Sequence, residues 1–254
     1  MSTTDPQLTS QHDLSKPQIL YLWFASISCA CFLIGDIIGI KLFSFPLGFS
    51  FTPFWSDTPI TNIVHTCGML TFPVTFLITD LVNEYYGKRA ARRIAYVGVA
   101  MNLMVFAVIN IAQYIPRLDA PYNVDQGAFD AVFGSAKGMY IASTVAYLVG
   151  QLSDITIFGL LKRVTKGKLI WLRATGSTLI AQALDSLVVS IIAFHYWRIW
   201  FPDPSNAPAP IGDVLELAAT GYLLKFVIAI GITPLIYAGH TVFERVWNLK
   251  PLPA

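Results

Sequence analysis

The sequence predicts an all-α membrane protein, a single bundle of six transmembrane helices. Three observations lead there. The 254 residues are 55% apolar and only 13% charged, against about 25% charged in ordinary soluble domains. The mean hydropathy is +0.58; so few charges cannot keep that much apolar surface soluble. Six apolar stretches, at 19–43, 67–86, 91–115, 138–161, 175–197 and 214–240, each meet the roughly 20 residues that cross a bilayer core. Finally, the basic residues alternate between the two ends of these stretches.

That alternation sets the orientation. Lys16, the segment Lys88, Arg89, Arg92 and Arg93, the segment Lys162, Arg163, Lys166, Lys168 and Arg173, and the terminal Arg245 and Lys250 fall on one side. Only Lys41, Arg117, Lys137 and Arg198 fall on the other. Basic loops stay cytoplasmic, so both termini are expected inside. The domain is then 19–243, with a mobile polar tail at 1–18 and a second cytoplasmic tail at 244–254. The start of the chain is too polar, and the apolar run after it too long, for a cleavable signal peptide.

The outer connections differ from one another. Residues 43–59 combine Phe43, Phe45, Phe49, Phe51, Phe54 and Trp55 with Pro46, Pro53 and Pro59, and read as an interfacial aromatic loop or a lid. Cys29, Cys31 and Cys67 are too few for a disulfide scaffold and read as small buried residues. His195 and His240 fall at helix ends, where an interfacial role is expected.

Asp36, Asp80, Asp154 and Asp185 lie inside the apolar stretches, with Lys225 as a fifth ionisable group. A carboxylate at such depth is costly unless it is paired, protonated or facing a wet cavity. On the second helix Asp80, Asn83 and Glu84 share a face by their i, i+3, i+4 spacing. Glu84 also sits one turn from Lys88, an expected end-of-helix ion pair. The fourth helix places Thr144, Tyr147, Gln151 and Asp154 on one stripe, and the fifth Thr178, Gln182 and Asp185. The third adds Asn102 and Asn110; the sixth adds Tyr222 and Lys225. Interhelical hydrogen bonds explain one or two such residues, but not a stripe on each of several helices. The pattern marks a polar pathway or binding site, hence a transporter. A carboxylate accepts parallel N–H donors and a glutamine amide both donates and accepts, which suits a flat heterocycle such as guanine, an amine or a cation.

Similar patterns recur in the two halves. Ala25-Ser26 before Gly35-Asp36 matches Ala142-Ser143 before Gly150-Gln151 and Asp154, and Thr75 to Val82 matches Thr178 to Val188. A three-plus-three inverted repeat is the candidate architecture. Enzyme signatures are absent: there is no Walker A loop, no His-Glu-x-x-His and no Gly-x-Ser-x-Gly turn. No cofactor, metal or nucleic-acid partner is expected.

The stretch from Phe72 to Gly87, FPVTFLITDLVNEYYG, followed by Ala91-Arg92-Arg93, resembles the signature of the queuosine precursor transporter family (YhhQ/VUT type). Segments Ala146 to Asp154, Ser177 to Asp185, and Tyr222 to Phe226 running on to Thr233-Pro234-Leu235 are similar to the same family. The resemblance implies a six-helix importer in the bacterial inner membrane. Its substrates would be 7-cyano-7-deazaguanine, 7-aminomethyl-7-deazaguanine or queuine, carried as a symporter or facilitator. Its polar positions fall on Asp80, Asn83, Glu84, Gln151, Asp154, Gln182, Asp185 and Lys225. Of these, Asp80, Asp154 or Asp185 is expected to accept the heterocycle's N1–H and 2-amino group, with Gln151 and Gln182 reading O6 or the 7-substituent. Asn102, Tyr147 and Tyr222 are further candidates for substrate binding, and Asp36 and Glu84 for proton or ion coupling. A second copy of the chain is a candidate partner beside substrate and lipid. The alternatives are the substrate-binding component of an energy-coupling-factor vitamin importer and a scaffold that transports nothing.

Overall fold

The computed structural model describes residues 14–39, 41–52, 59–133, 137–166, 168–202, 207–245 and 251–252. Most of the expected amino-terminal tail, and Phe54, Trp55 and Lys250, lie outside these residues. Helix α1 (Lys16–Ile38) opens at Ser15, whose backbone N–H donates to Gln18 Oε1 at 2.9 Å, with Pro17 in the first turn. It stops at Ile38, before the expected end at residue 43.

The next segment corrects the all-α expectation. Strands β1 (Leu42–Phe51) and β2 (Ile60–Thr66) form an antiparallel hairpin, paired from Leu42↔Thr66 to Pro46↔Asn62 and again at Phe51↔Ile60. Phe43/Phe45 and Phe49/Phe51 recur with period two, and β2 is rich in β-branched residues. Pro46 is tolerated because, among the described residues, neither strand has a second neighbour. The irregularity between Pro46 and Phe51 contains Gly48 at φ +74°, a backbone conformation that glycine adopts without strain.

A 3₁₀ turn (Cys67–Leu70) leads into α2 (Phe72–Tyr85). Its 14 residues rise about 21 Å, short of a full crossing, so the second expected span is a short helix wrapped by the others. Nine of its residues are buried, from Thr75 to Tyr85. Gly87, at φ +81°, turns the chain directly into α3 (Gly87–Tyr114). After α4 (Gln126–Phe133) come α5 (Lys137–Val164) and α6 (Ile170–Ile191). A π-helical turn (Ile192–Tyr196) joins α6 to α7 (Trp197–Trp200). Helix α8 (Ile211–Arg245) runs on through Pro234.

Among the described residues, five helical segments are long and apolar enough to cross a membrane: Lys16–Ile38, Gly87–Tyr114, Lys137–Val164, Thr175–Trp200 and Ile211–Arg245. The protein is a multi-pass membrane protein. The two halves differ in build, since the hairpin and short α2 of the first stand against the long α6 of the second. Outward-facing Leu22, Trp23, Met104, Val108, Ile111, Leu160 and Val227 are exposed, as lipid-facing side chains must be. Backbone that is neither long helix nor closed barrel is tolerated at membrane depth only inside protein or beside a cavity. The base of the hairpin and the 3₁₀ turn both border one.

The 3₁₀ turn that follows the hairpin meets α1 at two glycines. A Cβ on Gly68 would lie 2.6 Å from the Gly35 carbonyl oxygen, and one on Gly35 would lie 2.8 Å from Thr71 Oγ1. Gly68→Ala therefore forces backbone apart and is expected to cost about 1–3 kcal/mol, read as a lower unfolding midpoint in detergent. Gly212→Ala, where a Cβ meets nothing within 4 Å, is the control and should leave the midpoint in place.

Candidate binding site

A cavity of about 200 Å³ lies among α1, the hairpin base, the start of α2, α5, α6 and α8. It sits toward the hairpin end of the bundle. It is bordered by the last turns of α1, the first turns of α2 and α5, and the π turn after α6. The basic segments at 88–93 and 162–173 lie at the opposite end.

Apolar and aromatic side chains make most of the wall. Phe32 and Tyr147 stack with centroids 3.8 Å apart and planes 15° apart, and Phe72 leans on Phe76 at 4.4 Å. Lys225 Nζ lies 5.7 Å from the Phe72 ring centroid, within cation–π range.

Ionisable groups from different elements converge on this space. Lys225 of α8 donates to Asp185 Oδ2 of α6 in an ion pair. The lysine side chain is 7% exposed and the aspartate 20%, so the carboxylate keeps a face toward the cavity. Asp36 of α1 lines the same space. Asn102 Nδ2 donates to Asp36 Oδ2 at 2.7 Å and to Thr144 Oγ1 at 2.8 Å, tying α1, α3 and α5 together. Asp36, Tyr147, Asp185 and Lys225, singled out on four separate helices, thus meet in one place, with Asn102 holding one of them from behind.

Asp80, Asn83, Glu84, Gln151, Asp154 and Gln182 form a second layer nearer the basic loops. Asp154 is fully buried and accepts from Ser177 Oγ at 2.6 Å and from Thr178 Oγ1 at 3.5 Å. Thr79 Oγ1 donates to Gln151 Oε1 at 3.1 Å, and Asn83 Nδ2 to the Ile155 carbonyl at 3.3 Å. Asp80 borders a small void with Thr175 and Thr178. Asp154 Oδ2, Gln182 Oε1 and Asn102 Oδ1 have no hydrogen-bond partner among the described residues. Buried acceptors of that kind are rare in proteins and call for an explanation such as a functional role.

Two expectations are corrected. Glu84 does not pair with Lys88: its carboxylate lies 3.2 Å from Lys162 Nζ of α5, while Lys88 Nζ donates to the Thr156 carbonyl. The interhelical partner is nearer because α2 is packed inside the bundle rather than ending at its surface. Tyr222 is half-buried and outside the cavity wall, 6.4 Å from the Phe226 ring.

The sequence reading missed His65, at the end of β2. It lines the cavity, and its Nδ1 accepts the Thr66 backbone N–H at 2.7 Å. Burial first and the Lys225 ammonium second push its pKa down to about 4, against smaller upward pulls from the Thr66 hydrogen bond and Asp185. The imidazole is therefore neutral near pH 7. Only a hairpin reading of residues 42–66 would have aimed it here.

A family model described as "Putative vitamin uptake transporter" matches residues 66–239. The chain belongs to the vitamin uptake transporter family. It is 26% identical over 186 residues to a "Probable queuosine precursor transporter" of Bacillus subtilis, covering 72% of this chain and 75% of that one. It is 31% identical over 165 residues to the "Queuosine precursor transporter" of Escherichia coli, covering 65% and 67%. A "Probable queuosine precursor transporter" of Haemophilus influenzae is 32% identical over 166 residues, covering 65% and 63%. No solved structure matches the chain. The resemblance seen in the motifs is borne out. The relatives are transporters rather than enzymes, and so is this member of the family. The matched segment holds α2, α3, α5, α6 and most of α8, and so both polar layers apart from Asp36.

Proposed function

We propose that this transporter imports queuosine precursors of the 7-deazaguanine class across the bacterial inner membrane, with both termini cytoplasmic. The observation that carries the reading is the convergence of Asp36 and the Asp185–Lys225 pair on a cavity walled by aromatic rings. A carboxylate facing the cavity suits the paired N–H donors of a guanine-like edge, and the rings suit its flat faces. The relatives' names supply the substrate class. With the basic loops taken as cytoplasmic, the cavity would lie in the non-cytoplasmic half, where an importer first meets its cargo, and this supports the reading. Gln151, Asp154, Gln182, Asp80 and Asn83 continue the polar route inward, and Asp36 is the group assigned to proton coupling.

The test is thermal stabilisation of the detergent-purified protein by 7-cyano-7-deazaguanine, 7-aminomethyl-7-deazaguanine and queuine, with guanine, riboflavin and biotin as comparisons. A ligand that binds only the folded state raises the midpoint, by about 2.7 kcal/mol of stability at a hundred times Kd. One deazaguanine is expected to shift wild type, and Asp185→Asn to lose both the shift and uptake. No shift with any deazaguanine overturns the substrate. Since the family's description speaks of vitamins, a shift with riboflavin or biotin instead, and no uptake by proteoliposomes holding this chain alone, would favour a vitamin-binding component.

A further inference from the structure

The family match begins at Thr66, so His65 and all of the hairpin but its last residue lie outside it. Yet strand β2 packs on α8 and brings the His65 ring to the cavity. The ring has two distinct nitrogens. Nδ1 is occupied as an acceptor by the Thr66 N–H, so in the neutral imidazole the proton resides on Nε2. That Nε2 edge lies against the Cα of Gly221: a Cβ there would be 2.9 Å from Cδ2 and 3.0 Å from Nε2. Gly221 is one helical turn before Lys225, and both line the cavity. The Nδ1 bond is the ring's one hydrogen bond among the described residues. A fixed, uncharged N–H donor thus stands beside the Asp185–Lys225 pair with its donor valence unspent.

We propose that His65 is a substrate-contacting, specificity-determining residue, whose Nε2–H donates to the 6-oxo acceptor of a bound 7-deazaguanine. It complements a carboxylate that accepts the same heterocycle's N–H edge. Donor and acceptor then stand on separate elements, and a ligand must present both kinds of atom to satisfy them. A site that hydrogen-bonds a polar group rejects the analogue lacking it, because its own buried group is left unpaired. Gly221 belongs to the same device, since any side chain there would occupy the imidazole's place. The inference rests on the deazaguanine reading above and deepens it.

The experiment measures affinity of purified wild type, His65→Phe, His65→Gln and Gly221→Ala for 7-cyano-7-deazaguanine and for its analogue with hydrogen in place of the 6-oxo group. His65→Phe keeps a ring but removes the donor, and is expected to weaken the oxo ligand about tenfold. It should leave the deoxo analogue, already weak on wild type, unchanged. His65→Gln places an amide N–H near the Nε2 position and should recover most of the loss. Gly221→Ala displaces the ring without altering the hairpin and should mimic His65→Phe. Wild-type discrimination in a folded His65→Phe overturns the proposal. If that variant does not fold, wild-type discrimination by Gly221→Ala overturns it instead. Equal loss of both ligands in every variant also overturns it, since that is what a merely structural histidine produces. Wild type that binds neither compound removes the substrate reading itself, a result distinct from wild type that binds and variants that bind equally well.

Discussion

Lys225→Met is expected to be destabilised by roughly 2–3 kcal/mol and to bind no substrate. The methionine fills the lysine's space but leaves the Asp185 carboxylate without its cation. Removing one partner of a buried ion pair costs about 3–5 kcal/mol. The estimate here falls lower because Asp185 keeps 20% of its side chain exposed, so water relieves part of the penalty. The check is a double-mutant cycle on midpoints in detergent. Asp185→Leu in the Lys225→Met background should restore stability, since an apolar pair of similar volume often replaces a buried ion pair without loss. It should not restore binding or uptake. A double variant as unstable as the single would show that the pair is not what the lysine provides. A double variant that transports would remove both residues from the site.

Glu84→Ala carries the second large effect. Glu84 is 2% exposed and Lys162 8%, and their charged atoms lie 3.2 Å apart. Cutting the carboxylate leaves a lysine ammonium inside the bundle, at a cost of roughly 3–5 kcal/mol. Lys88→Ala, by contrast, loses one long bond of 3.5 Å to a backbone carbonyl and should stay within about 0.5 kcal/mol of wild type. The comparison is direct because the four-residue spacing in the sequence points to Lys88 as Glu84's partner and the packing points to Lys162. If Lys88→Ala proved the more damaging, the assignment of the pair would fall.

Much of this molecule is legible in its sequence, but unevenly. The long helices are, because about 20 apolar residues in a row leave the backbone no other way to satisfy itself in lipid. Asp36, Tyr147, Asp185 and Lys225 are legible as polar residues in apolar surroundings. Which of them share a space is not, because spacing along one helix places residues on a face and says nothing of the helix opposite. Hence eight further candidates could not be sorted: Asp80, Asn83, Glu84, Gln151, Asp154 and Gln182 form an inner layer, Asn102 a brace, and Tyr222 lies outside the wall. The hairpin escaped because Pro46 and the glycines read as loop signals, while the period-two phenylalanines read as an interfacial belt. His65 escaped with it.

The hairpin has a mechanical consequence. Strand β2 ends at Thr66, the 3₁₀ turn starts at Cys67, and α2 starts at Phe72, so no slack chain separates the roof of the cavity from the central helix. Gly35 and Gly68 pin the upper end of this unit against α1. Its lower end is held by Glu84 through Lys162 and by the Glu84 carbonyl, which accepts the Leu252 backbone N–H at 3.1 Å. Strand, turn and helix thus form one continuous connection from the cavity to the basic end of the bundle. A strain applied at His65 has no loose loop in which to dissipate before it reaches the fastening at Glu84.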